Sequence, residues 1–210
     1  MIQTIATFFN SGGRFMWVIL IVMALSTAIV IERMIFYFIV CRVNAVRLVS
    51  DLAKALTAGG TDAALKVLHK GGSPLKVLLR VAIDRFGAQM SVGDVEEGIQ
   101  EAAITQMPRM TARLNYLSLF SNIATLLGLL GTISGLQASF SSLAAVEASK
   151  KATMLAAGIA EAMNCTAFGL IVAVPCMVMY TVLYNKQQQL TKALDESVVR
   201  IVNFMKKSKA

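Results

Sequence analysis

Three stretches of this chain are too long and too apolar for the core of a water-soluble domain. Met16 to Ile31 contains only Ser26 and Thr27 as mildly polar residues, and the run continues past Glu32-Arg33 to Cys41. Leu117 to Leu143 carries no charge, and Met154 to Tyr184 carries one, Glu161. A membrane-spanning helix needs about 20 apolar residues to cross a hydrocarbon core about 30 Å thick, so all three qualify. Backbone groups in lipid have no water to bond, so such segments must be helical. The pattern predicts an all-α membrane protein with transmembrane helices at 15–41, 115–143 and 154–184. An external or interfacial segment at 1–14 precedes them, and a short external loop at 144–153 joins the last two. Long helices extend into a helical cytoplasmic domain at 42–114, and a basic cytoplasmic helix or tail fills 185–210. The first run lacks the basic leader and small-residue cleavage site of a secretory signal, and it is expected to stay in the protein.

Between the first two spans the period changes to that of surface helices. Val46, Val49, Leu52, Ala53 and Leu56 share one helical face, which Gly59-Gly60 is expected to end. Thr61 is the expected N-cap of a short helix from Asp62 to Lys70, closed by Gly71-Gly72. Ser73-Pro74 combines an N-cap with proline at the first helical position. Leu75, Leu78, Leu79, Ala82, Ile83 and Phe86 form the next apolar face. Ser91 then starts a helix with Asp94, Glu96 and Glu97 near its beginning, where the helix dipole favours acids. That helix is expected to run on into the second span with a bend at Pro108. No strand is predicted anywhere.

Composition and charge narrow the reading. Of 210 residues, 56% are hydrophobic and 15% charged, which excludes a disordered chain. Three cysteines are too few and odd in number for a secreted disulfide scaffold. The formal net charge is +8, and its placement matters more than its size. Residues 42–113 hold ten Lys/Arg and the tail after Tyr184 holds six, whereas the segment before the first span has only Arg14. The positive-inside rule then places 42–113 and the C-terminus in the cytoplasm and the N-terminus outside. Topology accounts for the basic residues, so no nucleic-acid partner is expected. The single histidine, His69, cannot build a His-based metal site, and no Gly-rich loop precedes Lys-Ser/Thr. No enzyme activity, catalytic residue, metal or cofactor is expected.

The chemistry that remains lies in the spans. Thr125, Gly128, Thr132, Gly135, Ser139 and Ser142 follow spacings of 3, 4, 3, 4 and 3, which is one helical face. Span three holds a similar set, Gly158, Ala162, Cys165, Thr166, Gly169 and Ala173, with Pro175 as an expected kink. Small and hydroxyl residues make tight helix–helix seams in lipid. They also make the wall of a polar path, and the pattern alone leaves both open. Glu161 adds weight to a path, because an ionisable residue inside a membrane is costly and marks ion routes. A hydrated position near the outer surface is its other reading. Glu161 and Thr166 are about 140° apart around a helix, so they do not share a strict face. Glu32 next to Arg33 suggests a local or intersubunit ion pair. No acid lies deep in span two or at the middle of span three, so proton transfer would need an acid from a partner.

The run Thr125-Leu-Leu-Gly-Leu-Leu-Gly-Thr-Ile-Ser-Gly135 with Phe140 resembles the second-span signature of the MotA/TolQ/ExbB proton-channel family. Gly158-Ile-Ala-Glu-Ala-Met-Asn-Cys-Thr-Ala-Phe-Gly-Leu170 with Pro175 resembles its third-span signature. The short N-terminal segment, Glu32-Arg33 and the helical cytoplasmic region resemble the three-span ExbB/TolQ branch more than the four-span MotA branch. Asn164-Cys165 and Ala157 depart from the usual pattern. The resemblance implies a homopentamer in the bacterial inner membrane whose second and third spans line a central pore. It implies a dimer of a single-span ExbD/TolR-like partner that brings a membrane Asp, and an envelope-spanning TonB/TolA-like protein beyond it. Proton flow through that Asp would drive rotation used for TonB-linked uptake, Tol-dependent envelope maintenance or gliding. By matching positions, Thr132 and Thr166 correspond to the pore threonines facing the partner Asp, and Glu161 to the Glu early in the third span. Thr125, Gly128, Gly135, Ser139, Ala162 and Gly169 would lie on the pore face. Two other readings follow from the residues: a passive membrane scaffold whose stripes are only seams, and a stand-alone small-solute channel.

Overall fold

The computed structural model describes residues 12–68, 72–143 and 147–209. Among these the chain is helical and contains no strand. The helices are α1 (Arg14–Ile35), α2 (Ala45–Leu68), α3 (Pro74–Gly87), α4 (Val92–Thr111), α5 (Leu114–Ser142) and α6 (Ala148–Lys209). Three helical stretches are long and apolar enough to cross a membrane, and they contain the three runs read from the sequence. The chain divides into two compact units. One is Met1–Ile31 with Arg113–Val182, and the other is Glu32–Ala112 with Leu183–Ala210.

In the first unit, α1, α5 and α6 pack around Ile19, Val22, Ala124, Cys165, Val172 and Ala173. These side chains are small for a core. Most large apolar residues of α5 point away from the other helices, with Leu126, Leu129, Leu130 and Ile133 between 46% and 62% exposed. That is the arrangement lipid-facing helices adopt, because lipid tails give leucine no reason to turn inward. Pro175 lies inside α6, which stays helical on both sides of it. Lacking an N–H, Pro175 leaves the Ile171 carbonyl without its helical donor.

In the second unit the apolar faces turn inward. Leu52, Leu78, Leu79, Ile83, Ile201 and Met205 are almost fully buried in one cluster. Two of the caps read from the sequence, at Ser73 and Ser91, are present. The Ser73 hydroxyl accepts from the Lys76 N–H at 3.5 Å, with Pro74 opening α3. Ser91 and Asp94 form a reciprocal capping box: the Ser91 Oγ accepts from the Asp94 N–H at 3.2 Å, and the Asp94 carboxylate accepts from the Ser91 N–H at 2.9 Å. Arg85 of α3 donates to the Asp94 carbonyl and to the Glu101 carboxylate of α4, at 2.8 and 2.9 Å. Lys206 of α6 pairs with Glu96 at 2.7 Å.

Two local expectations change. The break near Gly59-Gly60 sits at Gly60, whose φ of 70° and ψ of −162° are open to glycine alone, and helix resumes directly after it. The expected end of that second helix, together with His69, Lys70 and Gly71, lies outside the described residues, as do most of the segment 1–14 and part of the loop 144–153. The helix from Ser91 does not run on into the second span through a bend at Pro108. Pro108 stays inside α4, which ends at Thr111. The turn comes at Ala112, which is extended, and Arg113, which is left-handed with φ 61°. Proline removes one hydrogen bond but its φ suits a helix, so the following turn can survive it.

The C-terminal end of span one also departs from a plain helix. Residues Phe36–Val40 form a wide turn in which the Cys41 N–H reaches back to the Phe36 carbonyl at 2.9 Å. This region carries two long-range bonds. Arg33, 5% exposed, donates to the Arg109 carbonyl at 3.1 Å and to the Glu32 carboxylate at 3.1 Å. The Tyr37 hydroxyl donates to the Met110 carbonyl at 2.6 Å. Both acceptors belong to the last turn of α4, where carbonyls lack helical donors and a cation is favoured. The Glu32–Arg33 pair is therefore local, and its arginine also closes the end of another helix.

Candidate functional site

Spans two and three form an antiparallel seam. Along α5 the buried residues are Leu117, Ser121, Ala124, Gly128, Gly131, Gly135 and Ser139, stepping by three or four. Along α6 they are Gly158, Ala162, Cys165, Gly169, Val172, Ala173 and Cys176. The contact is backbone to backbone. A Cβ placed on Gly128 would lie 3.3 Å from the Thr166 Cα and 3.4 Å from the Gly169 Cα. One placed on Gly169 would come within 2.8 Å of the Ala124 carbonyl oxygen. One on Gly135 would sit 3.3 Å from the Ala162 Cβ. Gly131 faces Cys165, and Gly158 faces Ser139. Glycine in mid-helix costs about 1 kcal/mol against alanine. The return is the close approach that lets backbone dispersion and polar contacts hold helices together in lipid.

The residues of the two stripes differ in burial. Gly128, Gly135, Ser139, Ala162 and Gly169 are buried in the seam. Thr125 is exposed, and its hydroxyl donates to the Ser121 carbonyl of its own helix at 3.1 Å. Thr132 and Thr166 are half-buried at the seam's flank. Sequence spacing placed the threonines and glycines on one face. The packed face is turned to one side of it, and it includes Ser121, Ala124 and Gly131, which the pattern missed. Ser121 matters most of these: its buried hydroxyl crosses to the Ala173 carbonyl at 2.8 Å. The signal that could have found it was continuity, since Ser121 extends the buried 3/4 series by one turn.

Two hydroxyls converge on one turn of α5. Thr166, from α6, donates across the seam to the Gly128 carbonyl at 3.0 Å. Thr132, from α5 itself, donates to the next carbonyl, Leu129, at 2.6 Å. The residue pair singled out in the sequence is thus held at one level of the bundle by adjacent carbonyls. Each hydroxyl has committed its proton and retains oxygen lone pairs as acceptors.

Glu161 lies elsewhere. It is exposed, and its carboxylate abuts Gly13 at the N-terminal end of α1. Gly13 has φ 74°, so both its backbone and the carboxylate beside it require glycine there. The amino end of a helix favours a negative charge, which gives this carboxylate a place in the fold.

Comparison with known proteins agrees with this architecture. A model of the MotA/TolQ/ExbB proton channel family matches residues 72–196, more than half of the chain. A putative biopolymer transport protein ExbB homolog of Methanothermobacter thermautotrophicus is 26% identical over 178 residues, covering 85% of this chain and 62% of that protein. The putative ExbB-like protein 3 of Synechocystis is 33% identical over 171 residues, 78% of each chain. The Tol-Pal system protein TolQ of Pseudomonas aeruginosa is 37% identical over 90 residues, 41% of this chain and 38% of that one. The chain therefore spans less than two thirds of the Methanothermobacter and Pseudomonas relatives. Three membrane-length helices, a glycine seam and these matches together make this chain a multi-pass membrane protein belonging to the MotA/TolQ/ExbB proton channel family.

Proposed function

We propose that this chain is the channel-forming subunit of a proton-driven membrane motor of the ExbB/TolQ type. Five copies surround two copies of a single-span ExbD/TolR-like partner in the bacterial inner membrane, with the N-terminus periplasmic and the C-terminus cytoplasmic. Spans two and three face the pore, and proton flow through an Asp of the partner is converted into work on the cell envelope. The work is delivered through a TonB/TolA-like protein. This is a channel role, without covalent chemistry.

The observation that carries this reading is the convergence of Thr132 and Thr166 on the Gly128 and Leu129 carbonyls. A neutral carboxylic acid can donate its O–H to either threonine oxygen without disturbing that arrangement. An ionised carboxylate needs a donor, so a hydroxyl must first leave its carbonyl. A typical hydrogen bond contributes about 1 kcal/mol net. The threonine ring thus favours the protonated partner acid, as does the low dielectric of the bundle. Loading a proton lets the acid enter the ring, and releasing it expels the acid, which biases one step. Glu161 is exposed on the N-terminal side of Thr166 along α6, and in this reading it is where protons enter.

The test is native mass spectrometry of the detergent-extracted protein, expressed with its genomic neighbours. Five copies with two small single-span subunits is the expected result. A monomer, a dimer or an even-numbered ring without a co-purifying subunit would leave the reading without its acid and overturn it.

A further inference from the structure

We propose that the groove at the inner end of span one is a binding site for the phosphate headgroup of an anionic phospholipid. The groove is open, about 520 Å³ in volume, and lined by eight residues from the end of span one, the segment leading into α2, and α6. Two of them are cations, Arg42 and Lys186, and none is acidic. No ion pair ties either cation to a carboxylate among the described residues, whereas Arg33, Arg80, Arg85 and Lys206 of the same unit each have one. Lys186 is held instead over the Phe38 ring, 5.6 Å from its centre. That contact fixes the ammonium against an apolar wall without neutralising it.

A third polar group completes the set. Asn44 uses its Oδ1 to cap α2, accepting from the Arg47 N–H at 3.1 Å. Its amide hydrogens are left as donors, at the amino end of a helix, where phosphate is favoured. A planar guanidinium that can bond two phosphate oxygens, a point-charge ammonium and an amide suit a phosphodiester. The apolar residues decide between a lipid and a soluble anion. Ile35, Phe38 and Ile39 are 49%, 45% and 70% exposed on the turn that leads into the groove, giving acyl chains a surface beside the headgroup. Basic pockets at the ends of membrane helices are a general form of lipid headgroup site. Headgroup binding here requires only that span one crosses the membrane. It needs neither the partner Asp nor the threonine ring.

Native mass spectrometry of the purified full chain, titrated with phosphatidylglycerol or phosphatidylcholine, tests this. Phosphatidylglycerol should be retained in preference to phosphatidylcholine. Each basic residue near an anionic headgroup is worth about fivefold in affinity, so Arg42→Ala with Lys186→Ala should lower retention by about thirtyfold. Arg42→Lys with Lys186→Arg should retain most of it. If the double alanine variant does not yield protein, Lys186→Gln alone decides, with about a fivefold loss expected. Undiminished retention by the variants, or equal retention of the two lipids, would overturn the site. So would displacement of the lipid by millimolar glycerol phosphate, because the occupant would then be a soluble anion. Lipid retention by a chain that co-purifies no partner when expressed with its genomic neighbours would count against the motor and leave this site standing.

Discussion

In the unit built from Met1–Ile31 and Arg113–Val182, helices meet through Gly128, Gly131, Gly135, Gly169 and Ser121, and Leu126, Leu129 and Leu130 face outward. In the unit built from Glu32–Ala112 and Leu183–Ala210, helices meet through Leu52, Leu78, Leu79 and Ile83, and most charged residues face outward, with Arg33 the buried exception among those described. The same polypeptide follows both rules because the two units have different solvents. Water rewards apolar burial by about 25 cal/mol per Å², so large side chains go inside. Lipid gives no such reward, so what holds helices is close approach and hydrogen bonds across the gap. Position, not residue type, therefore decides what a leucine contributes.

The largest expected effect tests the water side of that contrast. Leu79 is fully buried, and Leu79→Ala should lower unfolding stability by about 2–5 kcal/mol. Leu129→Ala, at a residue 54% exposed in span two, should change it by less than about 0.5 kcal/mol. Thermal unfolding of the detergent-solubilised protein measures both, and similar losses would erase the distinction.

The next effect tests the lipid side. Gly169→Ala places a methyl 2.8 Å from the Ala124 carbonyl oxygen, which is backbone and cannot step aside. The overpacking should cost about 1–3 kcal/mol, outweighing alanine's better helix propensity. Gly72→Ala, with open space around it, is the control and should be nearly neutral.

Smaller effects sharpen the comparison. Ser91→Ala removes the capping box of α4 and should cost about 1 kcal/mol in the same unfolding assay. Ser121→Ala removes the hydroxyl that crosses to Ala173, and interhelical bonds of this kind average about 0.6 kcal/mol. An effect of several kcal/mol at Ser121 would mean that polar contacts, not glycine packing, dominate the seam.

The spans, the capped helices and the 3/4 stripes were legible in the sequence because each is written in local spacing. The phase of the seam was not. Thr125 and Thr132 look as suitable for a packed face as Ala124 and Gly131, one residue away, because small polar and small apolar side chains both allow close approach. Only the partner helix decides between them. The α4–α5 turn was misplaced because Pro108 is a strong breaker by type, whereas Arg113 gives no hint of a left-handed backbone. The bonds from Arg33 and Tyr37 to α4 join residues 76 and 73 positions apart, beyond the reach of any periodic pattern.

The most direct test of the threonine ring is proton uptake by vesicles carrying the chain co-reconstituted with its single-span partner, comparing wild type, Thr166→Ser and Thr166→Val. Serine keeps a hydroxyl that can reach the Gly128 carbonyl, and valine keeps the shape without it. The account predicts that Thr166→Ser retains most of the gradient-driven flux, while Thr166→Val abolishes it with the same subunit composition by native mass spectrometry. Wild-type flux in Thr166→Val would contradict it.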